Sequence, residues 1–128
     1  MNYVKTFESF LNESADLSSI FKKKSTVDTY LDMRDFFRDK LGETYEDDID
    51  KKTKLFDKAK EIEVDVNDIV PNQDYLNKEV VSKYQVSQNK LPLGVMFGKD
   101  VVLFDGHHRV AADILNGAKK IKMLILKA

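Results

Sequence analysis

The sequence predicts an α+β fold: a small mixed sheet of four or five strands, surrounding helices and a helical N-terminal extension. Three observations carry this. Apolar residues recur at helical spacing before residue 61, at a spacing of two from Ile62, and as short uninterrupted apolar runs after residue 93. With 128 residues, 42% of them hydrophobic and 34% charged, the chain is long enough for one cored domain with an extension.

The first segment, residues 1–24, reads as an amphipathic helix over 3–12, with Val4, Phe7, Phe10 and Leu11 on one side, and a linker. Leu17, Ile20 and Phe21 are placed to pin that linker down. Residues 25–61 read as helical. Ser25 or Thr26 caps a helix running to about Leu41, with Val27, Tyr30, Leu31, Phe37 and Leu41 expected inside and Gly42 as its stop. A second, heavily charged helix over about 50–60 buries Leu55, Phe56 and Ala59.

Residues 62–128 change character. Ile62, Val64 and Val66 alternate with acids as a strand does, and Asn67-Asp68 opens a turn before Ile69-Val70-Pro71. A short helix is expected around Leu76, Val80, Val81 and Tyr84. Two apolar runs flanking Gly98-Lys99-Asp100 form a hairpin. A helix over about 108–116 ends at Gly117, and residues 121–126 close the sheet.

Composition excludes several chemistries. The chain has no cysteine, which removes disulfides, thiolate catalysis and cysteine-based zinc sites. No apolar run approaches the ~18 residues of a membrane span, and no secretory signal opens the chain. A cytoplasmic protein is expected. Net charge is −1, so bulk electrostatics do not favour nucleic acid. The charge is uneven, with 14 acidic against 8 basic residues between Asp28 and Asp68, and 6 basic against 3 acidic from Gly98 onward. The C-terminal surplus suits an anionic ligand.

The candidate site is the strand-to-helix turn Asp105-Gly106-His107-His108-Arg109. First-turn amides of a helix have no intrahelical partner and sit at the positive end of its dipole, so an anion there meets donors already in place. Gly106 permits the sharp turn, and Arg109 offers a fork that matches phosphate oxygens. His107 and His108 are the candidates for donating or moving protons, and Asp105 for orienting a histidine or helping to hold a metal. Gln73, after Pro71, is a candidate cleft residue. No spaced third ligand specifies a metal site.

Residues 101–112, Val-Val-Leu-Phe-Asp-Gly-His-His-Arg-Val-Ala-Ala, resemble the Gly-x-x-Arg box of the ParB N-terminal domain and sulfiredoxin superfamily. The resemblance covers roughly residues 62–126, with Asp68-Ile69-Val70-Pro71-Asn72-Gln73 similar to the segment that opens such domains. It implies a nucleotide, ATP or CTP, with or without Mg²⁺, its phosphates held by Gly106, His107, His108 and Arg109. Within the superfamily, free serine kinases carry an Asp-Gly-His-His-Arg version, which implies a phosphotransferase or nucleotide hydrolase using His107, His108 and Asp105. His107 stands where sulfiredoxins place a catalytic cysteine, so their chemistry is excluded. The upstream acid of the kinases has only Glu61, Glu63 and Asp65 as candidates, and none matches cleanly. Two alternatives stay open: a ParB-like nuclease, and a non-catalytic protein that binds a host factor. The second arises because Val4-Lys5-Thr6-Phe7-Glu8-Ser9-Phe10-Leu11-Asn12-Glu13 resembles a capsid-targeting peptide of proteins packaged in large tailed phages, with Leu11-Asn12-Glu13 as the cleavage site.

Overall fold

The computed structural model describes residues 20–42, 49–72 and 90–128. Helices α1 (Val27–Leu41) and α2 (Ile49–Leu55), the latter extended by a 3-10 turn over Phe56–Lys58, lead into β1 (Lys60–Asp65). A second 3-10 turn, Val66–Asp68, precedes β2 (Ile69–Val70). Then come β3 (Leu93–Phe97), β4 (Asp100–Asp105), α3 (His107–Leu115) and β5 (Lys120–Lys127). The five strands form one mixed sheet in the order β1-β5-β3-β4-β2. β3 pairs antiparallel with β4 and parallel with β5, while β2 lies parallel to β4 and β1 antiparallel to β5. The α+β expectation is met. The amphipathic helix over 3–12, the helix near 76–84 and Gln73 lie outside the described residues.

Strand alternation gives the sheet two apolar faces. Val101 and Leu103 of β4, with Ile121, Met123 and Ile125 of β5, pack against Val110, Ala111, Ala112 and Leu115 of α3. Ile20 and Phe21 join this cluster, so the end of the expected linker is pinned as its apolar residues suggested. On the reverse face Val102, Val95 and Leu93 meet Met33, Phe36 and Phe37 of α1 and Phe56. Lys23 fastens the entering segment further by pairing with Asp68, at 3.3 Å, and with Asp100.

α1 starts at a reciprocal cap: Thr26 Oγ1 accepts from the Thr29 amide, and Thr29 Oγ1 accepts from the Thr26 amide. Its buried face departs from expectation. Val27 and Tyr30 are 73% and 58% exposed, Leu31 and Leu41 are half-buried, and Met33 and Phe36 join Phe37 inside. The stripe is turned by about one residue step (~100° of helix) from the one centred on Tyr30 and Leu41. Packing against aromatic strand residues accounts for the difference. Phe36 meets Phe97 edge-on at 6.2 Å between centroids, and Phe37 meets Phe104 at 5.2 Å. Adjacent phenylalanines at 36 and 37 can both reach the sheet only in this rotation.

Gly94 sits on the α3 side of β3. A Cβ there would lie 2.9 Å from Val101 Cγ1 and 3.0 Å from Met123 Cε, so the missing side chain is what lets β3 and β4 close under the core. Gly94→Ala is expected to lower stability by about 1–3 kcal/mol, the usual penalty of overpacking, measured by urea unfolding with an unchanged m-value.

Candidate functional site

Three strand ends meet at one corner of the sheet. β4 delivers Asp105 and Gly106, the segment after β2 delivers Asn72, and the segment before β3 delivers Pro92. Gly106 is the N-cap of α3 with φ 94°, a left-handed conformation that residues with a side chain adopt at a cost. It is also crowded, since a Cβ would stand 3.0 Å from Pro92 Cβ and 3.1 Å from Pro92 Cα. Both reasons demand glycine. The turn sets the direction of α3, whose first internal bond runs from the Val110 amide to the Gly106 carbonyl at 2.9 Å. The amides of His107, His108 and Arg109 occupy the first turn, which a helix leaves without carbonyl partners.

The two histidines differ. His107 is 6% exposed, and its Nε2 accepts a hydrogen bond from the Asn72 amide at 2.8 Å. An accepting nitrogen is unprotonated, so the neutral ring carries its hydrogen on Nδ1. Burial, reinforced by His108 and opposed by Asp105, pushes its pKa down to about 4. His108 is half-buried, and burial lowers its pKa as well.

Asp105 turns its carboxylate back to the chain: Oδ1 accepts from the Gly106 amide at 2.9 Å, and Oδ2 lies 3.9 Å from Lys90 Nζ. The Asn72 amide orients His107 through Nε2, and Asp105 is near enough to oppose the lowering of its pKa. Arg109 points its Nε toward Asp113 Oδ2 at 3.9 Å, beyond hydrogen-bond reach. Its Nη1 is shut off from solvent and has no hydrogen-bond partner among the described residues. Burial raises the pKa of Asp113, with Arg109 opposing.

The candidate acids Glu61, Glu63 and Asp65 are not brought to this corner. They lie on β1, which β5 and β3 separate from β4, and Asp65 caps the following turn by accepting from the Asn67 amide at 2.8 Å. Among the described residues no three histidine or acidic side chains converge as a metal-binding group, and no helix is long and apolar enough to cross a membrane. Sequence reasoning missed Asn72 and Pro92. Asn72 acts through its backbone, which leaves no side-chain signal, and Pro92 reads only as a breaker. Compared with known protein families, with curated proteins and with solved structures, the chain matches none.

Two outcomes test the corner. Gly106→Ala combines a strained φ with contact on Pro92, and a loss of about 1–3 kcal/mol is expected in chemical denaturation. For His107 the folded pKa lies below the unfolded value of 6.5, so the unfolded chain binds the proton more readily. Its contribution is therefore fully present above pH 6.5 and lost as pH falls toward about 4. The whole effect is on the order of 3 kcal/mol at about 1.4 kcal/mol per unit. Stability measured across this window should fall less steeply in His107→Gln than in the parent chain; parallel curves would refute the assignment.

Proposed function

We propose that the corner at the start of α3 binds the phosphates of a nucleotide, as the resemblance of residues 62–126 to the ParB and sulfiredoxin superfamily implies. The observation that supports this most is Arg109. Its buried Nη1 has no acceptor among the described residues, and it stands on the first turn of α3. An unsatisfied buried donor costs about 1–3 kcal/mol, and more when charged. A phosphate oxygen reaching the guanidinium would remove that cost and take up the amides at the same time.

On this reading Gly106 shapes the cradle, Arg109 neutralises charge, and His108 contacts the ligand. His107 holds the corner together from inside. The chemistry that suits such a cradle is phosphoryl transfer or nucleotide hydrolysis, which depends chiefly on positioning and electrostatic stabilisation, with Mg²⁺ arriving on the nucleotide. A nuclease in which both histidines move protons has less support. The Nε2 of His107 is engaged, and its ring is neutral across the physiological range.

A thermal-shift screen of ATP, CTP and their mono- and diphosphates, with and without Mg²⁺, tests the proposal, because a ligand of the folded state raises the midpoint. Saturable stabilisation is expected, and Arg109→Ala should weaken it at least tenfold. No shift with any nucleotide, or equal affinity in the variant, would refute the reading.

A further inference from the structure

The two edges of the sheet are finished differently. β2 is a two-residue strand with both residues buried. β1 runs for six residues in regular register with β5 and leaves Lys60, Glu61, Glu63 and Asp65 exposed. Among the described residues no strand pairs with its outer side, since β1 ends the order β1-β5-β3-β4-β2. We propose that this edge docks a basic extended segment of a protein partner, one that alternates lysine or arginine with apolar residues.

The backbone is set out for an added strand. The Val66 amide donates to the Lys119 carbonyl at 3.0 Å, which continues the β1–β5 ladder by one pair. Bonded and non-bonded pairs alternate along an antiparallel ladder, so Val64, Ile62 and Lys60 also turn their backbone groups toward β5. Glu61, Glu63 and Asp65 therefore turn theirs outward, in a row spaced by roughly 6.8 Å. Main-chain bonds to such a row supply the affinity when a peptide adds to a sheet edge. Neither a proline nor a register shift interrupts β1, the devices that otherwise blunt an edge.

The side chains fix the partner's chemistry. Ile62, Val64 and Val66 pack into the cluster under α3, so Glu61, Glu63 and Asp65 share the opposite face. Asp65 Oδ1 is taken by the Asn67 amide, but the carboxylates of Glu61 and Glu63 have no hydrogen bond or ion pair among the described residues. On the inner side β5 sets Lys122 opposite Glu63 and Lys120 opposite Asp65. A strand on the outer side that repeats this pattern gives the acids a second row of cations, and its apolar residues extend the cluster past the half-buried Ile62. A second copy of β1 does not fit. Pairing that keeps the apolar residues on one face sets acid against acid in every register, which is unfavourable. The edge lies across the sheet from the α3 corner and does not depend on nucleotide binding there.

The test is a titration of the full chain with the end-capped peptide Lys-Val-Lys-Val-Lys-Val-Lys, followed by ¹H–¹⁵N spectra and amide hydrogen exchange. Saturable binding is expected to slow exchange at least tenfold at the Glu61 and Glu63 amides, while those of Ile62 and Val64, already bonded to β5, change little. The double variant Glu61→Gln, Glu63→Gln should bind at least tenfold more weakly, and Arg109→Ala as tightly as the parent. A fully N-methylated peptide keeps its charge but donates no backbone hydrogen bond, and it should also lose at least tenfold. Unprotected Glu61 and Glu63 amides would overturn the proposal, as would undiminished affinity in the double variant. Equal binding of the N-methylated peptide would reduce the contact to charge attraction and overturn strand addition. Sedimentation showing that the chain alone dimerises with these amides protected would give the edge to a second copy instead.

Discussion

The hydrogen bond from the Asn72 amide to His107 Nε2 holds the candidate site together. It joins the chain leaving edge strand β2 to the first residue of α3, across the end of β4. A two-residue strand such as β2 has little pairing of its own, and this bond extends its hold beyond Val70. The bond requires an unprotonated nitrogen, and burial supplies that condition by keeping His107 neutral. The geometry of the corner and the protonation state of its histidine are thus one constraint.

From that constraint follows a division of labour within five consecutive residues. Asp105 binds back onto the Gly106 amide, Gly106 turns the chain against Pro92, and His107 faces inward. His108 is half-buried, and Arg109 reaches toward Asp113. Arg109 Nη1, shut off from solvent and without an acceptor among the described residues, costs stability.

The two faces of the sheet carry separate cores because alternation along β4 sends successive side chains to opposite sides. Val101 and Leu103 support α3, while Val102 and Phe104 support α1 and Phe56. The N-terminal helices are therefore part of the same folded unit as the sheet.

The sequence by itself determined the parts governed by local rules. The capped helix over Val27–Leu41, the hairpin around Gly98, the helix before Gly117 and the closing strand follow from periodicity, capping and turn chemistry within a few residues. The order Asp-Gly-His-His-Arg on a strand-to-helix turn was equally legible. Tertiary structure decided the rest, because it depends on partners distant in sequence. Adjacent histidines are indistinguishable until one is buried against an amide 35 positions away. The buried stripe of α1 was set by Phe97 and Phe104 more than by its own pattern, which also admits Val27 and Tyr30. Strand order, which sends Glu61, Glu63 and Asp65 to the far edge from the corner, is likewise a matter of long-range pairing that no local spacing encodes.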